Sequence, residues 1–218
     1  MPNKIADASL IPELASRPYK FTSQRGRNRR TRLLSSALDL LREKPMSEIT
    51  MAMVCELAEI PRSSAYHFFP SVDAIFLGIR MYHGERLIER IKQLHQEKFG
   101  SWQEYAERFI DTAVAISRSE PGFLSLIYGF GPLISGAREL SLELDSKLAS
   151  LSLEGFEHHF SIPIEEGDTE IFNIAFGIVD GLFRYSYRRS GTLQDEIISE
   201  SKKAAIAYLS TYLKETAD

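Results

Sequence analysis

Hydrophobic residues recur along most of this 218-residue chain at the three- and four-residue spacing that gives a helix one apolar face. Between Ser23 and Glu43, for example, Leu33, Ala37 and Leu40 share such a face. No segment sustains the period-two alternation expected of a half-buried strand. Prolines, glycines and capping hydroxyls divide the pattern, which predicts helices over residues 23–43, 50–58, 62–68, 72–95, 102–117, 121–129, 137–160, 168–187 and 193–213. The chain is therefore predicted to be all-α.

The second and third predicted helices are short and follow each other closely. Thr50 can cap the second helix through its hydroxyl. Pro61 suits the first turn of the third helix, where a missing N–H costs nothing, and Glu59 and Ile60 form the turn between them. Two short helices joined by a tight turn, after a longer first helix, are typical of a helix-turn-helix, whose last helix enters the DNA major groove.

Charge is distributed unevenly along the chain, whose net charge is −4. Residues 1–67 carry 11 basic and 7 acidic residues, whereas residues 68–218 carry 15 and 23. The run from Lys20 to Arg32 contains six basic residues and no acid. A basic end on an acidic body indicates a polyanionic partner for that end only, the alternative being a solvated tail.

Other kinds of chemistry find little support in the sequence. The single cysteine, Cys55, excludes an intramolecular disulfide, and we expect it to be an inert core residue. No apolar run approaches the roughly 18 residues of a membrane-spanning helix, and residues 1–20 lack the apolar region of a secretory signal. His158 and His159 are adjacent and point about 100° apart on a helix. We therefore expect no catalytic site, no cofactor, no metal site and no membrane partner, and the chain is not expected to be an enzyme.

Several short stretches within residues 29–79 combine into one recognisable pattern. They are a first-helix segment Arg30-Thr31-Arg32-Leu33-Leu34-Ser35-Ser36-Ala37-Leu38-Asp39-Leu40-Leu41, a helix-opening Thr50, a core pair Val54-Cys55, and a final segment Ser63-Ser64-Ala65-Tyr66-His67-Phe68-Phe69-Pro70-Ser71 followed by Asp73-Ala74-Ile75. This pattern resembles the tetracycline-repressor (TetR/AcrR) family of transcriptional regulators. Two positions depart from it, because Glu59 stands at the turn where glycine is usual and Met53 where an acid often completes a capping box. A left-handed Glu59 would cost roughly 1 kcal/mol or more relative to glycine.

The resemblance implies three segments: a mobile basic arm over residues 1–22, a three-helix helix-turn-helix DNA-binding domain over 23–71, and a helical effector-binding and dimerisation domain over 72–218. It also implies contacts with phosphates from Thr50, Tyr66 and His67, and with base edges from Arg62, Ser63 and Ser64. Two alternatives stay open, namely that Tyr66 is a core residue and that His67 is only an exposed helix-end histidine. Phe68 and Phe69 are expected to pack inside the domain. A basic segment beside the motif can also lie along phosphates or in the adjacent minor groove, so three further DNA-binding residues are expected: Arg25, Arg27 and Arg29.

Family members use the C-terminal helices to bind an effector and to dimerise, and this sequence is compatible with both roles. The predicted ligand-binding residues are Trp102, Tyr105, Phe109, Phe123, Tyr128, Phe156, Asn173, Phe176 and Asp180, although any one aromatic residue in such a stripe is more often core than pocket. Small residues in the last two helices allow close packing in a two-fold interface, for which we expect Phe176, Gly177, Gly181, Ala204, Ala205 and Tyr208.

Together these features predict a homodimeric repressor in the bacterial cytoplasm, associated with the nucleoid when bound to DNA. Its partners would be a palindromic operator in double-stranded DNA and a small hydrophobic effector of unknown identity. Two alternatives remain: a constitutive regulator whose C-terminal domain only dimerises, and an all-α cofactor-binding enzyme, for which no catalytic constellation is found.

Overall fold

The computed structural model describes residues 24–129, 137–160 and 167–213, so the predicted arm over 1–22 lies outside the described residues. Across those ranges the backbone is helical and contains no strand, which confirms the all-α prediction. The helices are α1 (Gln24–Glu43), α2 (Met51–Leu57), α3 (Arg62–Phe68), α4 (Val72–Leu94), α5 (Trp102–Arg118), α6 (Pro121–Tyr128), α7 (Ala137–Phe160), α8 (Asp168–Ser190) and α9 (Asp195–Leu209), with a 3-10 turn at Met46–Glu48.

These helices form two compact units whose boundaries do not follow chain order. The first contains residues 24–85, 119–129 and 137–138, and the second contains 86–118, 139–160 and 167–213. α6 therefore belongs to the first unit, although it follows α5 of the second in sequence. None of the helices in the described ranges combines the length and apolar character required to cross a bilayer.

In the first unit, α1, α2 and α3 share one apolar cluster. Leu33 and Leu34 of α1, Val54 of α2 and Ala65 of α3 are completely buried in it. Phe69, directly after α3, is also buried there, and Phe68 packs against the cluster while remaining partly exposed. The two phenylalanines thus have the packing role that the sequence predicted for them.

The ends of the two short helices are fixed by local hydrogen bonds. The Thr50 Oγ1 atom accepts from the Met53 N–H at 3.3 Å, so Thr50 caps α2 as predicted. At the other end of α2, the Ile60 N–H donates to the Cys55 carbonyl and the Glu59 N–H to the Glu56 carbonyl, both at 3.0 Å. This is the Schellman arrangement, which needs a left-handed residue after the helix. Glu59 occupies that position with φ 50°, which confirms the expected departure from a glycine turn.

α6 packs tightly on α1 within the same unit. A Cβ placed on Gly122 would lie 2.9 Å from Leu41 Cβ and 3.0 Å from the Leu38 carbonyl oxygen, so only glycine permits this approach. The Arg42 guanidinium at the end of α1 pairs with Glu120 at 2.5 Å, and the Glu120 side chain is 3% exposed. Because both contacts bridge residues far apart in sequence, they hold α6 to the helix that carries the basic run.

The second unit is built around aromatic side chains from α5, α7 and α8. Trp102, Tyr105, Phe109, Phe156 and Phe172 are all buried in its cluster. Two ion pairs tie α5 to the α9 region: Lys202 with Asp111 at 2.7 Å and Arg118 with Asp195 at 2.6 Å.

α9 is shorter than the predicted helix over 193–213. Leu193 is buried before the helix begins, and the Gln194 N–H donates to Ser186 Oγ at 2.7 Å, which keeps this segment out of the helix. At the other end, the Thr211 N–H turns back to the Tyr208 carbonyl at 3.1 Å. Hydrogen bonds outside the helical pattern therefore set both boundaries.

Candidate nucleic-acid interface and apolar cavity

The solvent-facing side of α3 carries four of the predicted DNA-binding residues. Arg62, Ser63, Tyr66 and His67 are exposed, and their spacing of one, four and five residues places them on one face of the helix. Ala65 on the opposite side is completely buried. Tyr66 is 52% exposed, which excludes the alternative that it is a core residue. The helix is therefore anchored from behind and presents a basic, hydroxyl-bearing surface.

Two further predicted contact residues lie beside this face. Ser64 is half-buried on α3. Thr50 is exposed at the start of α2, where its oxygen caps the helix and its hydroxyl hydrogen is still available for donation. Both side chains carry a hydroxyl group, which is the kind of group expected to bind a phosphate backbone or a base edge.

The arginines predicted to lie on DNA belong to α1, because the helix begins at Gln24 and includes residues 25–29. Arg25 is exposed in the first turn, and Arg27 donates to Gln24 Oε1 at 2.6 Å. Arg29 Nη1 donates to Ser64 Oγ at 3.3 Å, across from α1 to α3. Residues 24–32 therefore belong to the first helix, as the prediction of a helix over residues 23–43 states, so these arginines lie on a helix and not on a flexible segment.

Cys55 lies behind the helix-turn-helix surface as predicted. It is buried in the apolar cluster, and burial raises the pKa of its thiol, an effect that the nearby charge of Arg62 partly opposes. A thiol held protonated in this way is a poor nucleophile.

The second unit encloses a small apolar cavity of about 30 Å³. Five aromatic rings line it, together with aliphatic residues and one serine: Tyr105, Ala106, Phe109, Ile110, Ser152, Phe156, Phe172, Ala175, Phe176, Val179, Ala205 and Leu209. No charged side chain contributes to this lining. Four predicted ligand-binding residues are brought together here, namely Tyr105, Phe109, Phe156 and Phe176.

The other five predicted ligand-binding residues do not line the cavity. Trp102 packs near Phe156, with the two rings tilted by 42° and their centroids 6.1 Å apart. Phe123 and Tyr128 belong to the first unit, where Phe123 stacks on His83 at 4.0 Å. On α8, the Asn173 amide donates to Glu170 at 3.3 Å and Asp180 pairs with Arg184 at 3.1 Å. Three cavity-lining residues that were not predicted from the sequence, Phe172, Ala175 and Val179, follow one another on α8 at intervals of three and four residues. Helical spacing identifies residues that share a face, but it does not say which face lines a cavity.

Tyr105, which lines the cavity, also contacts His95, and His95 lines an open cleft of about 710 Å³ together with His158 and His159. His95 Nε2 lies 3.2 Å from the Tyr105 hydroxyl and 3.1 Å from the Leu151 carbonyl. Because the carbonyl can only accept, we assign the His95 hydrogen to Nε2, from which it can be donated to both the Leu151 carbonyl oxygen and the Tyr105 hydroxyl oxygen. Burial lowers the pKa of His95, against the opposing effects of the Leu151 carbonyl and Glu154, and raises the pKa of Tyr105, so both groups are held neutral.

The histidines of the cleft do not form a metal site. Across residues 24–129, 137–160 and 167–213, no group of three or more His, Cys, Asp or Glu side chains is placed to hold a metal ion. Burial and the charge of His158 lower the pKa of His159.

The outward side of α8 carries several of the predicted interface residues. Gly177 and Gly181 are exposed, and a Cβ on either would meet nothing within 4 Å. Ile174 and Tyr185 on the same helix are 44% and 50% exposed. On α9, Ala204 and Tyr208 are half-buried. By contrast, Phe176 and Ala205 line the cavity, and Ala205 is 3% exposed, so these two point into their own unit.

Comparison with known proteins places this fold. A model of the tetracyclin repressor-like C-terminal domain matches residues 100–213, just over half of the chain. A TetR-family transcriptional regulator from Streptomyces coelicolor has the same fold, with a TM-score of 0.69 and 24% identity over 85% of this chain and 99% of that one. A TetR transcriptional regulator from Rhodococcus sp. RHA1 has a TM-score of 0.64 and 16% identity over 87% and 100%. No curated protein sequence matches the chain. Since the family match covers more than half of the residues, the chain belongs to the tetracycline-repressor (TetR) family of transcriptional regulators.

Proposed function

We propose that this protein is a homodimeric repressor that binds a palindromic operator and is released by a small hydrophobic effector. The observation that carries the proposal is the exposed face of α3, where Arg62, Ser63, Tyr66 and His67 project from a helix anchored by buried Ala65. Arginine recognises guanine edges, and hydroxyl and imidazole groups bind phosphates. Its site of action would be the nucleoid DNA of the bacterial cytoplasm.

Dimerisation is supported by the outward side of α8. Exposed Ile174 and Tyr185 flank two glycines that leave room for a close approach of another helix. A homodimer with two-fold symmetry would present two copies of α3 to the two halves of a palindrome. Gly181→Arg tests this surface, because an added Cβ at this position meets nothing within 4 Å. We expect a monomer by sedimentation, whereas Glu196→Arg, at an exposed position in the first turn of α9, should remain dimeric.

Effector binding is supported by the uncharged aromatic cavity. A charged ligand would lose its hydration without gaining a partner there, so the effector class is neutral and apolar. The present volume of about 30 Å³ is far below the roughly 150 Å³ of a protein cavity that holds benzene. Binding therefore requires expansion, and half-buried Phe176, stacked on Phe109 at 5.4 Å, is the ring best placed to move.

The small cavity also favours a second candidate, a constitutive regulator whose C-terminal unit only dimerises. A thermal-shift panel of neutral aromatic and aliphatic compounds separates the two, because a ligand of the native state raises the unfolding midpoint. The effector hypothesis predicts a hit that disappears in Ala205→Leu, which fills the cavity. A panel without hits would favour the constitutive regulator.

DNA binding itself is tested by selection from a pool of random duplexes with the full chain. The proposal predicts enrichment of a two-fold symmetric sequence by the wild type. Recovery of unenriched DNA would contradict it.

A further inference from the structure

We propose that Arg29 and Arg32 of α1 are positioning residues that fix the direction of α3 and thereby set base preference, and that they are not phosphate ligands. The inference rests on the proposed DNA-binding function. It assigns Arg29 a different role from the direct DNA contact that its charge alone suggests, and gives a role to Arg32, which the helix-turn-helix pattern does not explain.

The turn before α3 is strained, because it places a glutamate where glycine is usual, and it therefore needs contacts that hold it in place. Glu59 is the one non-glycine residue with positive φ in the part of the chain that the structure describes. Its position in the Schellman arrangement is one that glycine adopts freely and other residues adopt with strain. A strained turn persists only where surrounding contacts hold it.

Arg32 supplies such contacts. Its Nη2 atom donates to the Ala58 carbonyl and lies 3.3 Å from Glu59 Oε2. Ala58 is the C-cap of α2, and the carbonyl of this residue accepts no hydrogen bond within the helix. The Glu59 carboxylate is 86% exposed, so the ion pair by itself is weak. The bond to the carbonyl is therefore the main restraint, and it acts on the residue directly before the left-handed one.

Arg29 holds the other side of the same turn. Its Nη1 atom donates to Ser64 Oγ at 3.3 Å, on the third residue of α3. Arg29 and Arg32 are three residues apart and therefore neighbours on the surface of α1. Since Ser64 accepts from the guanidinium, its hydroxyl hydrogen remains free to be donated to a base or phosphate. One helix thus holds both the end of α2 and the start of α3.

α1 is a rigid base for these contacts, because Leu33 and Leu34 directly beyond them are completely buried. Arg25, one turn earlier and exposed, provides a matched control on the same helix. A phosphate role for Arg25 and a positioning role for Arg29 and Arg32 predict different responses to the same Arg→Ala substitution.

The first test needs no DNA. Amide hydrogen exchange over residues 59–66 should accelerate by about tenfold in Arg32→Ala and stay at the wild-type rate in Arg25→Ala. In the double variant Glu59→Gly/Arg32→Ala, exchange should return close to the wild-type rate, since glycine holds the turn without help. Equal exchange in wild type and Arg32→Ala, or no recovery in the double variant, overturns the inference.

The second test uses the duplex selected by the wild type and a copy changed at one base pair per half-site. Arg29→Ala and Arg32→Ala should lose about tenfold in discrimination between the two and keep the wild-type slope of log K against log salt. Arg25→Ala should keep the discrimination and flatten the slope by about 0.9 per phosphate contact. A flattened slope with intact discrimination in Arg29→Ala and Arg32→Ala overturns the inference and leaves DNA binding standing. A wild type that selects no duplex instead refutes the proposed function, while the exchange result still decides the role of Arg32.

Discussion

The two apolar clusters of this protein differ in the side chains that form them and in the surfaces that they support. The cluster behind α1, α2 and α3 is dominated by aliphatic side chains, and Leu33, Leu34 and Val54 are completely buried in it. Within the described residues, the cluster of α5, α7 and α8 contains five buried aromatic residues, and four of them, including Tyr105 and Phe156, line the cavity. A surface that must present side chains at fixed positions benefits from a tightly packed support. Rings of the second cluster instead line a cavity, which is the kind of place where a small apolar ligand can bind.

The largest effect is expected where the first unit buries a charge. The Arg42 guanidinium pairs with Glu120, 3% exposed, and with Asp39, 55% exposed. Arg42→Ala leaves the buried carboxylate unpaired and should lower the free energy of unfolding by about 3 kcal/mol. Asp39→Ala, which removes only the exposed partner, should cost less than about 1 kcal/mol. Urea denaturation compares them, and equal losses would show that Glu120 does not depend on its partner.

In the second unit, Gly155 should be the most sensitive small residue. An added Cβ would lie 2.0 Å from the Tyr105 hydroxyl oxygen and 3.0 Å from His95 Nε2. Gly155→Ala should therefore lower the free energy of unfolding by about 2 kcal/mol through overpacking, despite the better helix propensity of alanine.

Gly177→Ala on the neighbouring helix α8 is the control, because its Cβ meets nothing within 4 Å. Because Gly177 also lies on the surface proposed for dimerisation, both glycine substitutions are compared in the Gly181→Arg variant, which is expected to be monomeric. There, helix propensity should raise the stability of Gly177→Ala by about 0.5 kcal/mol. We therefore expect changes of opposite sign in the free energy of unfolding for the two substitutions. A stabilised Gly155→Ala would show that Tyr105 and His95 can shift to accommodate the added methyl group at little cost.

A smaller effect is expected for a single hydroxyl on the α3 face. Tyr66→Phe keeps the ring and removes the hydroxyl that we propose donates to a phosphate, which should weaken DNA binding by about 1 kcal/mol for all sequences alike. Tyr212 is equally exposed, at 52%, but lies in the other unit. Tyr212→Phe should therefore leave affinity unchanged in fluorescence anisotropy. Wild-type affinity in Tyr66→Phe would remove the phosphate role from this hydroxyl.

The smallest effect concerns acid. The pKa of His95 lies below its ordinary value of 6.5 because of burial, with Tyr105, Glu154, His158 and Lys92 as its polar neighbours. A lowered pKa in the folded state contributes stability that is fully present above pH 6.5 and is lost as the pH falls through the folded value.

The thermal unfolding midpoint of the wild type should therefore decrease as the pH is lowered from 6.5. It should decrease less in His95→Gln, because glutamine keeps a hydrogen-bonding side chain that does not titrate. Exposed His67, in the first unit, serves as the control through His67→Gln. An acid response that is the same in wild type and His95→Gln would place the sensitivity elsewhere.

The difference between the two units also explains what the sequence could predict. α2 and α3 depend on neighbours in sequence, such as the Thr50 cap, so their bounds were predicted to within one residue and the exposed face of α3 was predicted correctly. The cavity depends on which faces of α5, α7 and α8 meet, and residues that meet there, such as Tyr105 and Phe172, are far apart in sequence. Phe109 and Phe156 were found through their aromatic character, whereas Phe123 has the same character and stacks on His83 in the first unit. The Arg29–Ser64 contact spans 35 residues, and no local pattern marks it.

The central claim is that the exposed face of α3 reads DNA sequence. Its most direct test is the ratio of dissociation constants for the selected duplex and a scrambled duplex, measured at one salt concentration for wild type and Arg62→Ala. The account predicts a wild-type preference of about 10³ or more for the selected duplex. Arg62→Ala should lose about tenfold of that preference, concentrated at one base pair per half-site. Equal affinity of the wild type for both duplexes, or an undiminished preference in Arg62→Ala, would contradict the claim.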